Sequence, residues 1–176
     1  MTWIYVDATT LIALGTVGEL DLLSAFAGTI VVVSAVRAEV TTQPAETNLD
    51  RFCDRDDVET AIATDEDSRA EHAERARSIL GASDVDGDVV LVAAVLAHTD
   101  ADERVAVVSD DRRVRTVAGG LGATVTGTIG AIVRAVEAGL PEAEAKTILR
   151  RVDSHGLHLT AELRETADEL IEDAGE

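Results

Sequence analysis

The sequence predicts an α/β protein, a three-layer α/β/α arrangement around a central parallel sheet of four to five strands. Two observations carry this. Short β-type runs alternate with helical patterns along most of the chain, the signature of a parallel sheet covered by helices. The run Ile30 to Val33 is unbroken apolar, as an interior parallel strand buried on both faces should be.

Trp3 to Val6 reads as the first strand, and Thr9 or Thr10 is placed to cap a helix through Leu11, Ile12 and Leu14. Thr16 and Glu19 have capping-box spacing and predict a helix through Leu20, Leu22, Leu23 and Phe26. Ile30 to Val33 is the second strand, after which Ser34 would cap a short helix carrying Val36, Glu39 and Val40. Between Thr41 and Asp86, Pro44 breaks the chain. A short helix near Ala45 to Phe52, a strand near Val58 to Ala63, and an amphipathic helix over Asp65 to Leu80 follow. That last helix should turn Ala70, Ala73, Ala76, Ile79 and Leu80 inward. Residues 83 to 88 form a loop into a helix that runs through Ala97, and Val105 to Val108 is the next strand. A helix over Asp111 to Ala118 is stopped by Gly119 and Gly120, and Ala123 to Val125 is a final short strand. Helices at Thr128 to Ala138, Pro141 to Val152 and Thr160 to Asp173 complete the chain, Pro141 suiting a first helical turn. No repeat or linker interrupts this order, so residues 1 to 176 are expected to form one domain.

Composition narrows the setting. Apolar residues make up 46 % of the chain and aromatics 2 %, which leaves the core to Val, Leu, Ile and Ala. Cys53 is the single cysteine; it excludes an internal disulfide and a zinc site built on several thiolates, and reads as an inert, partly buried thiol. No run reaches the ~18 apolar residues of a membrane span. The opening segment lacks a basic leader and carries Asp7 within its apolar run. A cytoplasmic, reduced location is expected. The formal net charge is −19, from 34 Asp and Glu against 15 basic residues, of which only Lys146 is lysine. An acidic surface almost without lysine fits a halophilic, salt-loaded cytoplasm, where ionic strength screens self-repulsion. The rival reading is an acidic mimic of nucleic acid, or a face for a basic partner. The acids are spread along the chain rather than gathered in a tail, which favours salt adaptation.

Four acidic positions fall where a strand or turn hands over to a helix: Asp7, Glu39, Asp88 and the pair Asp110-Asp111. In an open parallel sheet, ligands bind beyond the carboxyl ends of the strands. Asp7 and the pair follow strands directly. Glu39 and Asp88 lie within the first turns of helices whose N-termini face the same edge if the crossovers are right-handed. Carboxylates gathered there repel one another, and a hard cation resolves the conflict. All-carboxylate ligands select Mg²⁺ or Mn²⁺, metals able to activate a water and stabilise the leaving oxygen of a phosphodiester. Taken singly, each acid also reads as a cap, turn or solvated helix residue.

The pattern as a whole resembles a PIN domain. IYVDATTLIAL is similar to that family's opening strand, acid and hydroxyl residue, here Asp7 and Thr9. VVVSAVRAEV resembles the block ending in Glu39, and DVVLVAAVLA the block opened by Asp88. VAVVSDDRRVR resembles the closing strand with Ser109, Asp110 and Asp111; the spacing favours Asp111 as the ligand and leaves Asp110 open. LGATVTGTIGAIVRAVEAGL resembles the branch with a Gly-Thr-x-Gly turn. The resemblance covers most of the chain, weakly over residues 41 to 86. It implies a metal-dependent endoribonuclease, commonly the toxin of a toxin–antitoxin pair of the VapC kind. RNA would be the substrate, an antitoxin a partner, and a homodimer the assembly. Asp7, Glu39, Asp88 and Asp111 would hold the metal, with Thr9 and Ser109 orienting them.

Arg112, Arg113 and Arg115 adjoin that site and suit bidentate phosphate contact, with Arg134, Arg150 and Arg151 as further candidates. The same arginines equally suit neutralising the local acids. His155 and His158 read as surface histidines without partner ligands. Two other functions compete: a PIN-like binding module with little or no catalysis, and a phospho-accepting receiver domain. The second fits worse, because its paired acids come late and Lys146 follows no matching strand.

Overall fold

The computed structural model describes residues 1 to 60 and 66 to 176. Its centre is a five-stranded, all-parallel sheet: β1 (Thr2–Val6), β2 (Thr29–Val31), β3 (Val58–Glu59), β4 (Arg104–Val108) and β5 (Thr124–Thr126), in the order β3-β2-β1-β4-β5. The helices are α1 (Ala8–Val17), α2 (Ser34–Glu39), α3 (Ala45–Cys53), α4 (Glu66–Leu80), α5 (Gly87–Asp100), α6 (Arg112–Gly120), α7 (Thr128–Glu137), α8 (Glu142–Val152) and α9 (Ala161–Gly175). One layer packs α1, α3, α7, α8 and α9 together; the other holds α4, α5 and α6. This is the predicted three-layer α/β/α architecture.

The strand order sets the functional edge. The chain winds from β1 to β2 and β3 on one side, then crosses to β4 and β5 on the other. Between β1 and β4, adjacent loops leave the sheet in opposite directions and open a crevice at the strands' carboxyl ends. Val6 is in register with Val108, and the Asp7 amide donates to Val108 O, so Asp7 and Ser109 stand side by side there.

Helix α5 explains its own sequence. Leu91, Ala94 and Val95 join the main core, while Val89, Val92, Ala93 and Leu96 join a second cluster with Ala76 and Leu80 of α4. Buried on both faces, the helix is apolar all round, as a core helix should be. Its far end is tied to the sheet. Buried Tyr5 donates to His98 Nε2 at 2.7 Å or accepts from it, according to tautomer; His98 Nδ1 lies 2.6 Å from Glu103, and Trp3 stacks on the imidazole. Burial first, and the Glu103 charge second, push the Tyr5 phenol well above its usual range.

Several predicted boundaries shift for local reasons. Asp7, not Thr9 or Thr10, is the N-cap of α1. Thr16 lies inside α1, so no capping box forms; Leu20–Ala25 is a 3₁₀ helix without a side-chain cap. Val33 is the N-cap of α2 and Ser34 its first residue. On α4, Ala70 and Ile79 face solvent, while Ala76 and Leu80 are buried. Gly119 and Gly120 remain helical, and the chain turns at Gly122, where φ is +101°. Pro141 is the N-cap of α8, and the segment with His155 continues that helix as a π-turn. The strand ends at Glu59, Thr60 is not part of it, and the rest of the predicted strand, Ala61 to Ala63, together with Asp65 at the head of α4, lies outside the described residues.

Candidate functional site

Asp7 is 2 % exposed and its charge is held by a compact network. Its Oδ1 accepts the Ala8 amide at 2.7 Å. Its Oδ2 accepts two hydroxyls, Thr9 at 2.9 Å and Ser109 at 2.6 Å. Each hydroxyl accepts an amide in turn: Asp110 N–H donates to Thr9 and Asp111 N–H to Ser109, both at 3.0 Å. The turn after β4 is thereby wrapped onto the acid after β1.

The pair Asp110-Asp111 divides its work. Asp110 points to the start of α7, where Oδ1 accepts the Thr128 amide at 2.8 Å and Oδ2 the Thr128 hydroxyl at 2.5 Å. Gly127 makes room for it, since a Cβ there would lie 2.5 Å from Asp110 Oδ1. The Gly-Thr-x-Gly segment is thus the dock for Asp110. Asp111 is the N-cap of α6, with Oδ1 accepting the amides of Arg113 and Val114 at 2.7 and 3.0 Å. Its other oxygen has no partner among the described residues.

Glu39, at the end of α2, reaches the start of α5, where Oε1 accepts the Gly87 amide at 3.0 Å. Burial raises its pKa most; the Gly87 bond opposes this, and the charges of Asp7 and Asp86 add to it. Asp88, in the first turn of α5, is half-buried and makes no hydrogen bond among the described residues. Its pKa is pushed up to about 6, first by burial and then by the charges of Asp7, Asp86, Asp111 and Glu39. Asp7, Glu39, Asp88 and Asp111 therefore share one electrostatic neighbourhood, at the edge expected for them. Asp110 is not among the groups that shift Asp88.

Asp86 was not among the predicted site residues. It caps α5 through the Val89 amide at 3.0 Å and adds charge to both Glu39 and Asp88. The signal was its place two residues before Asp88, at the cap of an apolar helix.

The predicted arginines part ways. Arg113 donates to Leu80 O and so ties α6 to the end of α4. Arg112 and Arg115 are exposed and line a cleft with Thr116 and Val125. None of the three is among the groups that shift Asp88. Arg134 pairs with Glu137, Arg150 with Lys146 O and Asp168, and Arg151 with Glu19 and Val17 O. Val17 ends α1, which places Arg151 at the opposite edge of the sheet. His155 is held to Arg151 O, and Lys146 pairs with Glu142 and Glu172, far from any receiver-type arrangement.

The sequence model of a domain family described as a PIN domain matches residues 3–173. The chain belongs to the PIN domain family. No curated protein and no solved structure matches it. The PIN domain is generally a nuclease fold, and its members typically use divalent metals. In this PIN domain, among the described residues, no group of three His, Cys, Asp or Glu side chains is arranged to hold a metal ion by itself. The donor chemistry nevertheless fits a hard divalent cation: among the described residues Glu39 and Asp111 each leave one oxygen unpartnered, and Asp88 leaves both. Their like charges repel one another.

That repulsion has a measurable cost. A carboxyl whose pKa is raised on folding carries no penalty below its unfolded pKa near 4. The penalty grows as pH rises through about 6 and is complete above it. Asp88→Asn should therefore stabilise the metal-free protein at pH 7.5 by about 1 kcal/mol, a full shift being discounted for solvent screening. Below pH 4 the two proteins should melt alike, and saturating Mn²⁺ should reverse their order. Urea melts at the two pH values, with and without Mn²⁺, check this.

Proposed function

We propose that this PIN domain is a metal-dependent endoribonuclease that hydrolyses RNA phosphodiester bonds, with Asp7, Glu39, Asp88 and Asp111 holding Mg²⁺ or Mn²⁺. The observation that carries the reading is geometric: Asp7 and the Ser109–Asp111 turn are bonded together at the switch point between β1 and β4, and Glu39 accepts the Gly87 amide next to Asp88. When bound, the cation supplies Lewis-acid activation of water and neutralises charge on the phosphodiester. The chain's own residues do the rest. Thr9 and Ser109 orient Asp7, Asp111 is steered by the start of α6, and Gly87 presents Glu39. Asp110 supports the site by clamping α7.

By family resemblance the protein is proposed to be the toxin of a toxin–antitoxin pair and a homodimer in the cytoplasm, with its charge adapted to salt. Among the described residues no helix is long and apolar enough to cross a membrane. RNA cleavage with Mn²⁺ at high salt, comparing wild type with Asp7→Asn, tests the reading. The variant should lose at least the 10- to 100-fold that removal of a supporting group alone costs; equal cleavage by both removes the assignment.

One observation favours the rival, a PIN-type binding module with little or no catalysis: among the described residues the acids do not close into a metal shell. Calorimetry decides. Saturable Mn²⁺ uptake supports the nuclease; absence of uptake, with a stable protein partner recovered on pull-down, supports the module.

A further inference from the structure

The charge balance makes two side chains conspicuous. In a chain of net charge −19, most described arginines are paired with acids. Among the described residues, Arg112 and Arg115 have neither an ion pair nor a side-chain hydrogen bond. Arg51 and Arg104 are also unpaired, but they stand at the other edge of the sheet: Arg104 opens β4, and Arg51 lines a hollow with Gly18 and Leu20 beyond the end of α1. At the edge that carries the carboxylates, Arg112 and Arg115 are the free cations among the described residues.

Their placement is specific. They sit one and four residues past Asp111 on α6, about 1.5 and 6 Å of axial rise from it. Together with Thr116 and Val125 they line a shallow cleft of about 300 Å³ that holds no acid. The Thr116 hydroxyl donates to Arg112 O, so its one proton is committed within α6 and the guanidiniums are the donors this cleft offers. Val125 supplies an apolar wall on the β5 side.

We infer that Arg112 and Arg115 form a phosphate subsite for the nucleotide next to the scissile bond of single-stranded RNA. This rests on the endoribonuclease reading. A ligand spanning cleft and carboxylates must offer regularly repeated anions, one to the cation held by the acids and the next to the guanidiniums, and a polynucleotide backbone does so. Guanidiniums suit that contact through bidentate bonding. The cleft is of single-nucleotide size, and a flexible strand can bend from it into the crevice. Two contacts also imply a shallow salt dependence, a slope of roughly −1.4 in log K against log salt for single strands. A salt-adapted binder needs that shallowness.

The test uses the full chain and a fluorescein-labelled uridine 12-mer in Ca²⁺, with anisotropy read from 0.1 to 1 M KCl. Arg112→Gln/Arg115→Gln should bind about tenfold more weakly, the loss of roughly one charge-assisted contact's worth of affinity, and flatten the slope by roughly 1.4. In Mn²⁺ the same variant should raise KM and keep kcat. Arg112→Lys/Arg115→Lys should recover the slope without the full affinity, and Arg134→Gln should change neither. Circular dichroism confirms that each variant is folded. Unchanged affinity and slope in the double Gln variant overturn the subsite, as does displacement of the RNA by polyglutamate at equal charge concentration, which would mark the cleft as a dock for an acidic protein. Wild-type cleavage together with an unaffected double variant removes the subsite alone. Arginine-dependent binding without any cleavage removes the nuclease reading alone.

Discussion

Asp111→Asn is expected to abolish RNA cleavage, with kcat/KM falling at least 100-fold, while Asp110→Asn stays within a few-fold of wild type. The pair is adjacent in sequence and opposed in space. Asp110 spends both oxygens on Thr128, and a neutral amide can replace much of that clamp. Asp111 spends one oxygen on the start of α6, the other has no partner among the described residues, and its charge helps raise the pKa of Asp88. Asn caps a helix about as well as Asp. The Asp111 substitution therefore keeps α6 and removes only charge and metal affinity. Cleavage assays beside thermal melts check this. The opposite order of activities would place the working carboxylate on Asp110 and undo the division of roles described above.

The second large effect concerns a residue without a side chain. Gly87→Ala should weaken Mn²⁺ binding and cleavage by about 10- to 100-fold, the usual cost of losing a supporting contact at a metal site, with little change in melting temperature. A Cβ at position 87 would overlap Glu39 Oε1 and press on Val36. The end of a flexible glutamate can swing aside, so the fold loses little. The site loses more, because Glu39 is aimed by that same backbone amide. Calorimetric titration with Mn²⁺ and a parallel melt separate the outcomes. A destabilised variant that binds Mn²⁺ normally would show that Glu39 does not contribute.

Much of this was legible in the sequence because parallel strands announce themselves. Val105 to Val108 and Trp3 to Val6 are short apolar runs, and an acid directly after such a run has only one sheet edge to occupy. Helix-start logic holds for Asp88, in the first turn of α5; Glu39 is instead the last residue of the short α2 and reaches the start of α5 through the Gly87 amide. The rest depended on what packs where. Asp110 and Asp111 are the same residue type one position apart, and only the start of α7 tells them apart. Asp86 looked like loop because the helix begins one residue later than itself, not at Asp88. Thr9 resembled a cap, but its hydroxyl is taken by Asp7 and the Asp110 amide. Arg113 and Arg151 carry the same charge as Arg112 and Arg115, and their partners come from distant parts of the chain, whereas Arg134 pairs with Glu137 on its own helix. Spacing reports which residues share an element's end; it does not report who is already engaged.

The Tyr5–His98–Glu103 relay acquires meaning from where it sits. It pins the strand that delivers Asp7 to the far end of the helix that delivers Asp88: Tyr5 lies two residues before Asp7 on β1, and His98 lies near the end of α5. The separation of the two acids is thus gauged by a buried aromatic joint rather than by the acidic rim itself.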